Sequence, residues 1–116
     1  MATDNQRVPD QPPPQHRVVI LPWMRKPGHY LLLPNWLAIT IGRWIFAWRP
    51  LDDVELAHEL THVRQWRHYG LRFIPRYLRA SWRAAVPEGG DSYRDNVFER
   101  QAAAAADAVR RQGARD

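Results

Sequence analysis

Between Pro50 and Gly70 the chain is committed to one long helix, and every fold open to it has to be built around that element. Asp52 and Asp53 follow Pro50 closely and supply an acidic N-cap, with negative charge at the positive end of the helix macrodipole. The run Val54 to His68 carries Leu56, Leu60 and Val63 at helical spacing as an apolar face. Gly70 is the expected left-handed C-cap after His68 and Tyr69. The same spacing sets His58 above His62, one turn apart, on a separate face with Thr61 and Gln65.

Inside this helix His58-Glu59-Leu60-Thr61-His62 reads HExxH. Two imidazoles one turn apart can reach a single ion at bond lengths of about 2 Å. Glu59 is offset around the helix, where a carboxylate meets a metal-activated water without becoming a ligand, which is the place of a general base. The sequence has no Cys, so a disulfide framework, a thiolate nucleophile and every cysteine-containing zinc site are excluded. Any metal must be held by His and carboxylate.

Two histidines leave a catalytic site one protein ligand short. The acids downstream are Glu88, Asp91, Asp95, Glu99, Asp107 and Asp116. Glu99 is the expected third ligand, because it falls early in a later helix that can pack back on the first and hold it more rigidly than a loop holds Glu88 or Asp91. The competing role for Glu99 is a helix cap, since Asn96 to Glu99 has capping-box spacing. Asp107, two turns further on, either orients a ligand histidine or is a solvated surface acid. His68 is read as a surface residue. Tyr69, Tyr77 and Tyr93 are each candidates for stabilising an oxyanion, and spacing selects none of them.

The 116-residue chain is one domain by size, with 45% hydrophobic residues to form a core. Residues 1–16, with Pro12, Pro13 and Pro14, read as a disordered tail, and the domain spans residues 17–112. Val18 to Leu21 is a short strand ending at Pro22, and Lys26-Pro27-Gly28 reads as a turn. Leu37 to Trp48 is β structure, with Gly42 and Arg43 as a bulge or a turn and with Leu37, Ile39, Ile41 and Ile45 on one parity. A second helix over Phe73 to Ala85 places Ile74, Tyr77, Leu78, Ser81 and Trp82 on one stripe, read as a core face. A third runs from about Asp95 to Arg111. The expected class is α+β: a small N-terminal sheet, then three helices, with HExxH on the first.

Secretory targeting is not expected of the polar, proline-rich N-terminus, and a cytoplasmic location follows as the expectation. Tyr30 to Trp48 is about as long as a bilayer span, but Pro34, Asn35 and Arg43 interrupt it, so membrane association is not expected. The net charge is +5, with Lys26 the only lysine. Arg64, Arg67, Arg72, Arg76, Arg79 and Arg83 recur at helical steps and are read as a solvated face, with no nucleic-acid partner expected.

HELTHVRQWRHYG, followed downstream by YRDNVFERQA, resembles the short HExxH proteins related to the minimal gluzincins. It is also similar to small bacterial proteins of unknown function in which an HELxHVxQ helix precedes a P-x-E-x-E-A segment. The resemblance covers roughly Val18 to Arg111. It implies a minimal zincin-like domain holding one zinc ion through His58, His62 and Glu99, with Glu59 as catalytic base and a peptide or protein as substrate. It further implies that Leu37 to Trp48 supplies an edge strand along which an extended peptide pairs. Two positions depart from the pattern: Gln101 stands where a second glutamate is common, and Val97 where proline is common. Zinc-dependent peptide hydrolysis is the function expected, and the alternative is a catalytically inactive zinc-stabilised module that binds a protein partner.

Overall fold

The computed structural model describes residues 13–31 and 36–115. Most of the expected disordered tail, residues 1–12, lies outside these; of its last residues, Pro14 is buried and its carbonyl lies 2.7 Å from His16 Nδ1. The elements run β1 (Arg17–Ile20), α1 (Arg25–Leu31), β2 (Ala38–Ile41), β3 (Trp44–Ala47), α2 (Asp53–Tyr69), α3 (Phe73–Ala85) and α4 (Val97–Arg115). The class is α+β, a three-stranded sheet followed by the main helices. No helix among the described residues is long and apolar enough to cross a membrane.

The strand order is β1-β3-β2, with β1 parallel and β2 antiparallel to β3. Gly42 and Arg43 form a two-residue turn, with Gly42 at a φ of 64° that suits glycine. That turn corrects the parity expected for this stretch. It pairs Ala38 with Ala47 and Thr40 with Ile45, so even positions of β2 share a face with odd positions of β3. Thr40, Ile45 and Ala47 are buried, whereas Ile41 is 51% exposed.

Lys26-Pro27-Gly28, expected as a turn, lies within α1. Pro27 stands in the first turn of that helix, where its missing N–H costs no hydrogen bond. Gly28 lets the Trp36 indole lie close against the helix: a Cβ there would stand 2.0 Å from Trp36 Nε1. The Trp36 indole donates to the Arg25 carbonyl at 3.2 Å, and the Trp48 indole donates to the Trp36 carbonyl at 2.5 Å. Long-range packing of tryptophan therefore outweighs the local turn signal.

α2 begins as the acidic sequence dictates. Asp52 Oδ1 accepts the Glu55 N–H at 2.7 Å, and Glu55 Oε1 accepts the Asp52 N–H at 3.0 Å, closing a capping box. Arg49 grips Glu55 with two hydrogen bonds of 2.9 and 2.7 Å, and this pairing holds the Glu55 carboxyl below its usual range. The apolar face of α2 packs Leu60 and Val63 on Ile45, with Val18, Ala38, Leu51 and Leu56 around them. At the far end Gly70 takes φ 61° and ψ −140°, positive-φ backbone that favours glycine.

α3 departs from its expected role. Phe73, Tyr77 and Ser81 turn inward, but Ile74, Leu78 and Trp82 are 47%, 62% and 69% exposed, so the stripe read as core is split. Phe73 packs edge-on against Phe98 and Trp66 at 5.1 and 5.2 Å, joining α2, α3 and α4.

α4 starts at Val97, two residues later than expected, with fully buried Asn96 as its cap. Asn96 Oδ1 accepts the Phe98 N–H at 2.8 Å, while its amide donates to Ser81 Oγ at 2.8 Å and to the Tyr77 carbonyl at 3.3 Å. One side chain thus caps α4 and ties it to α3. Asn96→Ala removes the cap and leaves buried polar partners unmatched, and it should cost about 2–4 kcal/mol in a chemical-denaturation experiment.

Candidate metal centre

His58 and His62 project from one face of α2, with ring centroids 5.1 Å apart. Glu99, in the first turn of α4, reaches across to both: its Oε1 lies 3.2 Å from His58 Nε2 and 2.9 Å from His62 Nε2. Glu99 is buried, at 6% exposure, although a lone carboxylate pays heavily for leaving water. The Tyr77 hydroxyl donates to its other oxygen, Oε2. Burial opposes ionisation of Glu99, but His58, His62 and Tyr77 outweigh it and hold the carboxyl far below the usual range.

The cap expected as the alternative role for Glu99 is not formed. The Asn96 N–H donates to the Tyr93 carbonyl, and the Asn96 side chain itself caps the helix, leaving both Glu99 oxygens turned to the cluster. Gln101, standing where a second acid is common, points to Gln65 instead.

Gln65 fixes the proton on His62. Its amide nitrogen donates to the Phe98 carbonyl at 3.1 Å and to Gln101 Oε1 at 2.9 Å, so its oxygen is the end that faces His62 Nδ1, at 2.9 Å. A carbonyl can only accept, which assigns the hydrogen to Nδ1 and leaves Nε2 of a neutral His62 with a lone pair. That lone pair faces a carboxylate oxygen, itself an acceptor. Two acceptors at 2.9 Å need a cation or an added proton between them. Burial lowers the His62 pKa and the Glu99 carboxylate raises it, and the net shift is upward.

One ring nitrogen each of His58 and His62 and a Glu99 oxygen all lie within 4.8 Å of one another, and this group can hold a metal ion. Its donor set of two imidazoles and one carboxylate is among those left open to a chain without cysteine.

Glu59 lies beside the cluster on the wall of a cleft of about 660 Å³. Its Oε1 accepts the Thr40 hydroxyl at 2.9 Å, from β2. Strand β2 adds Ile39 and Ile41 to the wall, and Tyr77, Leu78 and Tyr93 also line the cleft. Tyr77 and Tyr93 both have their pKa raised, by burial first and then, for Tyr77, by its hydrogen bond to Glu99 and, for Tyr93, by the Glu99 charge, so both hydroxyls keep their protons even more firmly than an ordinary tyrosine. Tyr69 is elsewhere, stacked on Phe73 at 6.4 Å. No protein-family model, curated protein or solved structure matches this chain.

Other expected residues fall outside the cluster. Thr61 donates to the Ala57 carbonyl of its own helix, His68 is exposed with its ring against Tyr69, and Asp107 pairs with Arg110 on the surface of α4. The sequence reading assigned no part to Thr40 or Trp66. Thr40 carried a faint signal as the polar residue of the run Ala38–Ile41, which β pairing turns toward α2. Gln65 carried a better one, three residues after His62 on the same helix face.

Proposed function

We propose that this protein is a zinc-dependent peptidase of minimal zincin type, with His58, His62 and Glu99 as ligands and Glu59 as general base. The observation that carries this reading is the convergence of two imidazole Nε2 atoms on one buried carboxylate oxygen, at 3.2 and 2.9 Å, with the His62 tautomer fixed from behind by Gln65. Tetrahedral zinc with bonds near 2 Å spaces its donors by about 3.3 Å, close to these separations. Gln65 then has the place of an outer-shell partner that orients a ligand histidine.

When bound, zinc supplies a Lewis acid that polarises a carbonyl and lowers the pKa of water toward ~7. The residues of the chain do the rest. Thr40 holds one oxygen of Glu59, leaving the other to take a proton from water and return it to the departing amine. Tyr93, at the cleft wall near Glu99, would donate to a developing oxyanion, whereas the Tyr77 hydroxyl donates to Glu99 Oε2.

Strand β2 supports an extended substrate, because it is the last strand of the sheet and its outer edge faces the cleft. Leu37 accepts from Trp48 N–H, and Ile39 and Ile41 pair inward with Phe46 and Trp44, which leaves the backbone of Ala38 and Thr40 pointing outward. The Thr40 carbonyl is already taken by the Trp66 indole at 3.0 Å. A peptide would therefore pair with Ala38 and the Thr40 N–H, and Trp66 would stop it running further.

The test is hydrolysis of an unstructured protein by the zinc-loaded chain. Fragments should appear, vanish on treatment with a chelator, and return when zinc is restored. Bound zinc without any cleavage across diverse peptides would leave the noncatalytic module as the better reading.

A further inference from the structure

α3 carries more apolar surface than the fold uses. Leu71, Ile74, Leu78, Trp82 and Val86 form a continuous stripe, at 81%, 47%, 62%, 69% and 62% exposure. Three of them belong to α3 and the other two to the turns that flank it. A stripe of this kind on the outside of a small domain is uncommon unless something covers it.

Its flank points to what that is. At 100° per residue, Arg72, Arg76, Arg79 and Arg83 gather in a second stripe about 110° round the helix from the apolar one. All four are exposed. The segment from Gly70 to Pro87 contains no Asp or Glu, and none of these arginines belongs to an ion pair of the described residues. Arg76 lies over the Tyr69 ring at 4.9 Å, which holds it without neutralising it.

A nucleic acid would match the arginines but leave Leu78 and Trp82 in water. A neutral protein surface would cover the apolar stripe but leave four charges unmatched. An anionic lipid surface satisfies both, because the apolar residues enter the boundary between headgroups and acyl chains while the arginines meet phosphates. We propose that α3 is an interfacial helix that docks this protein flat on an anionic membrane surface, with Leu78 and Trp82 inserted and Arg79 and Arg83 against the headgroups. Such docking needs no membrane-spanning helix. Because Ile74 and Leu78 also wall the cleft, it sets the cleft mouth at the lipid surface. The proposal stands on α3 alone and does not depend on zinc or on catalysis.

Flotation of the full chain with vesicles tests it, using phosphatidylcholine alone or mixed in equal parts with phosphatidylserine. The wild type should float with the mixed vesicles, remain behind with phosphatidylcholine alone, and dissociate as salt is raised. Arg79→Gln with Arg83→Gln should weaken binding about thirtyfold, at the usual contribution of a basic residue near such a surface. Trp82→Ser with Val86→Ser should abolish flotation while circular dichroism stays unchanged, since both side chains are solvent-facing. A wild type that ignores both vesicles, or binds them equally, would overturn the proposal. So would well-folded variants that float like the wild type, or a dimer that Trp82→Ser with Val86→Ser converts to monomer, which would assign the stripe to a second copy.

Discussion

Glu99→Ala should strip the protein of zinc. The wild type is expected to carry about one ion per chain after gel filtration, measured by elemental analysis, and the variant should bind at least a hundredfold more weakly. That loss should exceed the ~10–100-fold typical of removing an outer-shell partner, because the carboxylate faces both imidazoles directly and completes their group among the described residues. Two histidines on α2 remain, but their direct contact with α4 is lost, Gln65 still bridges His62 to Phe98 and Gln101, and the Tyr77 hydroxyl loses its acceptor. Gln101→Ala is the control. Gln101 touches Gln65 and not the histidines, so zinc should stay near wild-type stoichiometry. Zinc retained in Glu99→Ala and lost in Gln101→Ala would invert the assignment of the third ligand.

The second large effect concerns rate rather than binding. Glu59→Gln should lower kcat/KM for peptide cleavage by about 10²–10⁴, the usual worth of a positioned general base, with zinc content unchanged. Glutamine keeps the acceptor oxygen for the Thr40 hydroxyl, so the local packing should survive while proton transfer does not. Thr40→Val should fall between, losing activity by freeing the base to wander while the zinc stays bound. If the wild type and Glu59→Gln prove equally inactive yet both hold zinc and the same protein partner, the enzyme reading fails and the zinc-stabilised module replaces it.

Much of this architecture was legible in the residues themselves. Asp52 to Gly70 announced α2 through its cap, its apolar spacing and its terminal glycine, because those signals act within a single helix. The alignment of His58 with His62 and the preference for Glu99 over the loop acids followed from helical geometry and the absence of cysteine. Local signals failed where distant packing decided the outcome. Lys26-Pro27-Gly28 reads as a turn until the Trp36 indole lies against Gly28, and Pro27 then becomes a first-turn residue of α1.

Parity failed in β2 and β3 for another reason. An even-length turn between antiparallel strands joins odd positions of one to even positions of the other, so a pattern counted through Gly42 and Arg43 assigns the wrong face. That error concealed Thr40, whose hydroxyl reaches Glu59 across the gap between sheet and helix.

The sequence by itself determined the chemistry available: a helix that presents two imidazoles and a neighbouring carboxylate, and a chain with only His and acids to hold a metal. Tertiary structure decided which acid faces them, because the choice depends on how α4 docks on α2, a contact between residues some forty positions apart that no helical period encodes. It also decided the fate of α3. Periodicity reveals that a helix has an apolar stripe, but whether the stripe meets a core or solvent depends on whether another element lies against it. In this fold Phe73 and Tyr77 take the inward face, and Ile74, Leu78 and Trp82 are left outside.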